Sequence, residues 1–205
     1  MLTIWGRENS INVQRALWCA DEIGLTYERI DAGMEHGVNN TPAYLEMNPT
    51  GRVPTIRDGD YVLWESAAIV RYFAAKYSSG FLYPVTAEER GIADQWMGWN
   101  TWWIHPPLTT VFWGLVRSPG KHTQEEISAA VGALAEKWLM LDRHLAGSAY
   151  VAGKSFSYGD IIPACSWYRY QEMIKDRPET PAIDRWYARI SERPVFRKRV
   201  MLPLT

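Results

Sequence analysis

The sequence has few cysteines, few histidines and no long apolar run, and each shortage excludes a class of function. Its 205 residues include two cysteines and four histidines. Cys19 and Cys165 stand far apart without a CxxC partner, and the histidines lack metal-ligand spacing, so neither a disulfide framework nor a metal site is indicated. No segment approaches the roughly 18 apolar residues of a spanning helix, and no signal-peptide pattern is present. We therefore expect a cytoplasmic protein without a membrane partner.

An excess of positive charge is also missing. The chain carries 22 Lys and Arg against 23 Asp and Glu, a net charge of -1, which removes the electrostatic argument for nucleic acid or an anionic membrane. With those partners set aside, we expect a small-molecule partner. The 47% apolar and 22% charged fractions are typical of a globular protein. Tryptophan, by contrast, is abundant: eleven residues indicate either an aromatic core or an aromatic-lined cavity.

The first 80 residues alternate strand and helix patterns. Gly24, Asn48-Pro49 and Asp58-Gly59 supply two helix ends and a hairpin turn. The predicted elements are strand 2–5, a helix from Val13 to Ile23, strand 27–30, a short helix from Thr41-Pro42, strands 53–57 and 61–64, and a helix capped by Ser66. The order βαβαββα, a parallel βαβ unit followed by an antiparallel hairpin, predicts an α/β domain with a mixed sheet.

Beyond a linker at residues 80–84 the strand patterns end. Three capping boxes predict helix starts in the second half. They are Thr86 with Glu89, Thr123 with Glu126, and Ser157 with Asp160. We interpret the third box as a folding signal. Pro106-Pro107 predicts a break or kink between helices. The second half is therefore predicted to be all-helical.

Several short motifs stand in a definite order along the chain. Val53-Pro54 precedes the hairpin, Trp64-Glu65-Ser66 opens the next helix, and Ser157-Tyr158-Gly159-Asp160 lies in the helical half. This order resembles the cytosolic glutathione S-transferases, and segments 6–15 and 48–54 are similar to bacterial theta-like members of the serine type. The resemblance covers essentially the whole chain. It implies a thioredoxin-like glutathione-binding domain over 1–80, a linker over 81–87 and an all-helical domain over 88–205.

The expected glutathione site begins with the residues around the proline. A cis Val53-Pro54 bond would expose the backbone of Val53 to the cysteinyl part of glutathione, as an added strand. Ser66, at a helix N-terminus, suits the γ-glutamyl carboxylate, and the carboxylate of Glu65 suits the ammonium group. By resemblance, Asn39 and Arg52 occupy positions that meet the glycyl carboxylate.

The thiol of glutathione needs a nearby group that favours the thiolate. Lowering a thiol pKa from about 8.5 to about 6.5 takes roughly 2.7 kcal/mol. One hydrogen bond to a charged group contributes about 1.5 to 3 kcal/mol and a helix N-terminus about 0.3 to 1 kcal/mol, so a single donor there suffices. Ser10 is the first candidate by resemblance to the serine-type relatives. Asn12 is the second, and either residue could instead cap the first helix.

The resemblance also implies an electrophile pocket between the domains and a second subunit. Trp103 and Trp113 are the expected pocket walls, chosen from a cluster of tryptophans after the linker. The implied assembly is a homodimer that pairs the glutathione domain of one subunit with the helical domain of the other. Glutathione would act as a substrate beside a small electrophile, in detoxification, without a further cofactor or metal.

We therefore predict a glutathione transferase in which the thiolate attacks an electrophile. Two alternatives remain open. A glutathione-dependent disulfide or peroxide reductase would use the same binding site, and Asn12 keeps this reading open because some bacterial relatives rely on that asparagine. A non-catalytic interaction protein with the same fold is the other alternative.

Overall fold

A computed structural model describes residues 1–78 and 80–205 and places the predicted strands in one four-stranded sheet. The first part contains β1 (Leu2–Trp5), α1 (Ile11–Ile23), β2 (Tyr27–Ile30), a 3₁₀ turn (Met34–His36), α2 (Pro42–Met47), β3 (Thr55–Asp58), β4 (Tyr61–Trp64) and α3 (Ser66–Tyr77). The strand order is β2-β1-β3-β4, with β1 parallel to β2 and the other pairs antiparallel. The predicted βαβαββα order and mixed sheet are confirmed.

Local chemistry explains where these elements begin and end. Gly24 adopts the left-handed conformation at φ 81° and its N–H caps the last turn of α1. The hairpin turn consists of Gly59 and Asp60, one residue later than predicted, because Asp58 still pairs with Tyr61. The strand β3 starts at Thr55 rather than at Val53, since Pro54 has no N–H to donate to a ladder.

The second part of the described chain is helical, as predicted. It contains α4 (Ala87–Trp99), α5 (His105–Phe112), α6 (Gln124–Leu145), α7 (Tyr158–Met173), α8 (Pro181–Ser191) and α9 (Pro194–Arg199). All three predicted capping boxes are formed. The predicted break at Pro106-Pro107 is absent: both prolines lie in the first turn of α5, which follows directly on a π-helical segment, Asn100–Ile104, and a second π-helical segment, Trp113–Arg117, follows α5. None of the helices in the described chain combines the length and apolar character that would let it cross a membrane.

The buried α7 is the centre of the helical part. Asp160 in its first turn is fully buried and accepts hydrogen bonds from the backbone of Val151 and Ser157 and from the indole of Trp186. Desolvation by burial raises the pKa of this carboxyl to about 6 although these bonds oppose the shift. The Ser157–Asp160 box thus ties α7 to the preceding loop and to α8, which agrees with its interpretation as a folding signal.

Most of the tryptophan surplus lies in the core. Trp96, Trp99, Trp138 and Trp167 form a continuous series of edge-to-face contacts, with ring centroids 4.9 to 5.7 Å apart. Trp18 of α1 packs on Phe196 of α9 with centroids 4.7 Å apart and so joins the two parts of the chain. Abundant tryptophan is therefore chiefly a packing feature of this fold.

Candidate functional site

A cleft between the sheet domain and the helical part holds most of the predicted site residues. It has two adjoining pockets. The proline pocket is lined by Asn48, Thr50, Pro54, Glu65 and Ser66, and the arginine pocket by residues that include Arg7, Ser10, Asn39, Trp113, Arg117 and Arg169. Asn12, Arg52, Val53 and His105 line both pockets. A single elongated ligand can therefore extend from one pocket into the other.

The Val53–Pro54 peptide bond is cis and stands at the junction of the two pockets. The preceding residue is held firmly, because the carbonyl oxygen of Arg52 accepts hydrogen bonds from the Tyr44 hydroxyl at 2.6 Å and the Asn48 amide at 2.9 Å. Val53 itself precedes the first paired residue of β3. Its backbone is thus positioned for an extended ligand to pair with it, as in strand addition.

Glu65 and Ser66 join β4 to α3 at the far end of the proline pocket. Ser66 was predicted as the N-cap of this helix, but the N-cap is Glu65, which adopts φ 73° and makes no side-chain capping bond. A non-glycine residue in that conformation costs free energy that the surrounding structure must offset. The result is a helix start whose first N–H groups lack a side-chain cap, with an exposed carboxylate beside the buried Ser66.

Ser10 and Asn12 lie at the start of α1, on the same cleft. Ser10 is the N-cap by backbone conformation, yet its hydroxyl makes no capping bond. Asn12 is in the first turn, where its Oδ1 accepts a hydrogen bond from Arg15 at 2.6 Å. The Ser66 hydroxyl lies 3.5 Å from the same oxygen. Because these donors occupy the amide oxygen, the Nδ2 group of Asn12 is left as the donor that a ligand can use.

Arg15 anchors that amide from inside the protein. Its guanidinium is fully buried and also donates to Ser166 at 3.0 Å and Asn100 at 3.4 Å, both in the helical part. Desolvation lowers the pKa of Arg15 to about 10, so it stays cationic at neutral pH. The start of α1 is therefore connected to the helical part through a buried cation that sequence reasoning did not identify.

The two residues expected to contact the glycyl carboxylate, Asn39 and Arg52, both line the cleft, but they differ in hydrogen bonding and exposure. Asn39 lines the arginine pocket, and its amide donates to the carbonyl oxygen of Gly51 at 2.6 Å. Arg52 is exposed and borders both pockets. His36, in the same loop, does not line either pocket and lies 3.4 Å from Glu35.

The two tryptophans predicted as pocket walls lie in different places. Trp113 lines the arginine pocket together with Leu108 and Phe112. Trp103 does not line the cleft: it is 58% exposed and borders a shallow surface depression with Trp102 and Met140. The reason is helical geometry, since Trp103 lies in a π-helical segment whose next residue, Ile104, is the one that is buried.

His105 was set aside in the sequence because it has no metal-ligand spacing, yet it borders both pockets. Burial, followed by the charges of Arg15, Arg169 and Arg52, lowers its pKa to about 3, so the imidazole is neutral at physiological pH.

Within residues 1–78 and 80–205 no group of three or more metal-ligating side chains occurs. Cys19 and Cys165 are buried thiols, and desolvation raises the pKa of Cys165 to about 12.

From the sequence, Arg52 was the one arginine assigned to the site. Arg7, Arg52, Arg117 and Arg169 line the arginine pocket, and no Asp or Glu among the described residues does. Desolvation, then the charges of Arg15 and Arg117, lowers the pKa of Arg169 to about 9. A signal in the sequence was available for one of these cations, Arg169, and for the buried Arg15 behind the cleft. Arg15 and Arg169 are single charged residues at helix positions whose neighbours are buried.

Comparison with known proteins matches both parts of the chain. Residues 1–75 match the glutathione S-transferase N-terminal domain and residues 104–194 the C-terminal domain. The chain is 38% identical to glutathione S-transferase GstB of Escherichia coli K12, with all of both chains covered. It is 32% identical to glutathione S-transferase F9 of Arabidopsis thaliana over 91% of each chain.

Solved structures agree with this assignment. The theta class glutathione S-transferase of Xanthomonas axonopodis pv. citri with glutathione bound has a TM-score of 0.95 and 45% identity, covering 100% of this chain and 99% of the other. The apo form of that protein has a TM-score of 0.86 with 40% identity, covering 100% of this chain and 98% of the other. Together with the matched domains, these similarities show that the chain belongs to the glutathione S-transferase family.

Proposed function

We propose that this protein is a glutathione transferase that binds glutathione across the two pockets and uses its thiolate to attack an electrophile. The observation that carries the proposal is one continuous cleft in which Val53, the Glu65–Ser66 helix start, and Ser10 with Asn12 lie together. The match to glutathione S-transferases over the whole length supports it.

The two ends of glutathione fit opposite ends of the cleft. In the proline pocket, the free helix start at Ser66 takes the γ-glutamyl carboxylate and Glu65 takes the ammonium group. Val53 pairs with the cysteinyl backbone at the junction. Asn39 and Arg52 then take the glycyl carboxylate, and the sulfur lies near Ser10 and Asn12.

Ser10 and Asn12 are the two residues that can stabilise the thiolate of glutathione. A donor to the thiolate stabilises the charged form only, so it lowers the thiol pKa without a general base. Ser10 is the proposed donor because its hydroxyl is not used as a cap. The amide of Asn12 is the competing donor. His105 is not proposed as a base, because its low pKa makes it a poor proton acceptor at neutral pH.

We further propose that the protein works as a homodimer in the cytoplasm. Trp102 and Trp103 are 77% and 58% exposed, and aromatic residues of this kind are enriched at protein interfaces. The cytoplasm maintains glutathione as the reduced thiol that the reaction consumes.

Calorimetric titration with glutathione tests the binding site. We expect Glu65→Gln, which keeps the shape of the side chain, to weaken binding by about tenfold or more because the charge-assisted bond to the ammonium group is lost. Arg52→Ala is the matched comparison, and its effect should be smaller because Asn39 still contacts the glycyl carboxylate in that variant. Equal affinity in wild type and the Glu65 variant would contradict the site.

Turnover separates the three functions. With glutathione and 1-chloro-2,4-dinitrobenzene, a transferase forms the thioether, whereas a reductase consumes only disulfide or peroxide substrates. Binding of glutathione without turnover of any of these substrates would favour the non-catalytic alternative. Conjugation that Ser10→Ala or Asn12→Ala strongly reduces would support the transferase.

A further inference from the structure

The first helix carries a charged residue in the protein interior. Arg15 is 3% exposed and lines neither pocket of the cleft. Burial of a guanidinium is unfavourable unless hydrogen bonds and nearby charges offset the loss of water. Replacing a buried ion by an apolar side chain of similar size often leaves a protein as stable as before, or more so. The stability of α1 therefore does not by itself require a cation at this position.

The two terminal nitrogens of Arg15 donate hydrogen bonds in two directions. Nη1 donates to Oδ1 of Asn12 at 2.6 Å, on the cleft. Nη2 donates to Oγ of Ser166 at 3.0 Å and to Oδ1 of Asn100 at 3.4 Å, in the helical part. Ser166 donates in turn to Oδ1 of Asn100 at 3.0 Å. All three acceptors are uncharged, and the planar guanidinium holds them in a fixed arrangement.

Of these four residues, Asn12 is the one that lines the cleft, and it borders both pockets. Its amide has an oxygen that accepts hydrogen bonds and a nitrogen that donates them. Turning the amide over would place its N–H groups against the N–H groups of Arg15, donor against donor. Arg15 therefore fixes which end of the Asn12 amide accepts, and it leaves Nδ2 to donate to a ligand.

The same contact makes Nδ2 of Asn12 a stronger donor. An amide oxygen that accepts a hydrogen bond from a cation draws electron density from the amide nitrogen, and hydrogen bonds in series reinforce one another. The effect is larger in the interior than in water, because the charge of a buried guanidinium is screened less there. Arg15 thus both orients and polarises the amide.

We propose that Arg15 is a positioning residue of the transferase reaction, which holds the Asn12 amide so that Nδ2 donates to the glutathione sulfur and stabilises the thiolate. This inference rests on the proposed function and adds to it a residue that lines neither pocket. A thiolate has several lone pairs, so it can accept hydrogen bonds from Ser10 and from Nδ2 of Asn12 together. The thiol proton passes to water, and Arg15 transfers none.

The charged and titratable groups around Arg15 do not titrate together with the bound thiol. Cys165 and Arg169 on α7 and His105 on α5 interact with Arg15 electrostatically. Burial is the main cause of the shift in each case, and their pKa values are about 12, about 9 and about 3. Burial also lowers the pKa of Arg15 to about 10. A bound thiol that titrates between about pH 6 and 8 is therefore separated from all four groups.

The absorbance of the glutathione thiolate, titrated against pH in the complex, tests the proposal. Arg15→Met replaces the guanidinium with a flexible apolar side chain that can fill the interior. We expect the pKa of the bound thiol to rise by about half a unit or more, a change of about threefold or more in the thiolate equilibrium, because the Asn12 amide loses its anchor. Affinity for S-methylglutathione, which has no thiol, should stay within about twofold of wild type by calorimetry. A thiol pKa equal to that of wild type overturns the inference, whether or not S-methylglutathione binding weakens.

Variants of the same network extend the test. Arg15→Lys keeps a cationic donor and should retain most of the wild-type effect on the thiol pKa. Ser166→Ala removes an acceptor of Arg15 on the side away from the cleft, and the thiol pKa should rise by a smaller amount. Ser191→Ala is the matched control and should change nothing, because its hydroxyl donates to the carbonyl oxygen of Tyr187 on α8. If Arg15→Met does not fold, Ser166→Ala decides, and a thiol pKa equal to that of Ser191→Ala then overturns the inference.

The Asn12→Ala background shows whether Arg15 acts through this amide. If it does, adding Arg15→Met to Asn12→Ala should raise the thiol pKa by less than about 0.2 units beyond Asn12→Ala alone, because the two residues act as one unit. A full shift in that background would show that Arg15 acts through its own charge, which overturns the positioning role. Asn12→Ala with the thiol pKa of wild type also overturns it.

Failure of this inference is distinguishable from failure of the proposed function. A wild-type protein that conjugates glutathione, while its Arg15 and Asn12 variants keep the wild-type thiol pKa, overturns only the positioning role. A protein that binds neither glutathione nor S-methylglutathione overturns the transferase proposal and this inference together.

Discussion

The start of α1 presents two hydrogen-bond donors to the same cleft, and their environments differ. The Ser10 hydroxyl makes no capping hydrogen bond, whereas the Asn12 amide is held in place because its oxygen accepts a hydrogen bond from the buried Arg15. A hydroxyl rotates to follow a thiolate, while the fixed amide has one orientation. Both arrangements can stabilise a thiolate, and only the pH dependence of the bound thiol tells them apart.

We expect Ser10→Ala to raise the pKa of the bound thiol by about one to two units, because the lost bond stabilises the thiolate alone. Glutathione affinity below that pKa should be nearly unchanged. Thiolate absorbance titrated against pH measures the shift, and Asn12→Ala is the comparison. A small shift in Ser10→Ala beside a large one in Asn12→Ala would transfer the role to Asn12.

Short motifs and their resemblance to a known family predicted part of this site. Val53-Pro54 and Glu65-Ser66 are pairs of adjacent residues, but the resemblance, and not their spacing in the chain, placed the two pairs in one site. Arg7 and Arg169 are 162 positions apart in the sequence and meet only through the packing of α7 against α1. A single sequence contains no local pattern that joins them, which is why the arginine pocket was not predicted.

At the scale of elements, helix starts and turns were predictable because capping and turn chemistry act over three or four residues. The three capping boxes and the Gly24 helix end are examples. The π-helical segments around α5 were not, since they depend on how bulky side chains pack between helices. The prediction that Trp103 walls the cleft was wrong for this reason, because Trp103 lies in the first of these π-helical segments.

The contact between α4 and α7 provides a test at this scale. Gly159 in the first turn of α7 lies so close to α4 that an added Cβ would stand 2.8 Å from the Cα and Cβ of Ala93. We expect Gly159→Ala to lower the free energy of unfolding by about 1 to 3 kcal/mol, because the helices must separate.

A second helical glycine gives the matched control. Gly132 of α6 has open space around its Cα, so Gly132→Ala should raise the free energy of unfolding by about 0.5 to 1 kcal/mol through helix propensity. Urea unfolding of both variants, at equal protein concentration, measures the contrast. Equal stability of the two variants would show that α4 and α7 are not in such close contact.

At the scale of the whole molecule, ion pairs at α9 connect the helical part to the sheet domain. Arg199 contacts Asp21 at 2.7 Å and Glu8 at 2.9 Å, and Arg193 pairs with Glu22. These contacts and the Trp18–Phe196 packing fix the two walls of the cleft relative to each other. The family resemblance predicted two domains with a pocket between them, whereas neither the resemblance nor the composition predicted these contacts of α9.

The exposed aromatic patch of Trp102, Trp103 and Met140 supports the last prediction, the homodimer. Exposed apolar side chains grouped in this way are unfavourable in water, and a second copy of the chain would bury them. The ion pair of Arg71 with Asp94 at 2.8 Å joins α3 to α4 near the patch, so a partner docked there would contact both domains.

We therefore expect sedimentation equilibrium at micromolar concentration to give twice the 23.6 kDa chain mass. The double variant Trp102→Glu with Trp103→Glu should sediment as a single chain, because burying two carboxylates in an apolar interface is strongly unfavourable. Phe81→Glu, at an exposed aromatic residue outside the patch, is the control and should remain dimeric. A wild-type mass of one chain would refute the dimer. A dimer that persists in the double variant would place its interface on another face.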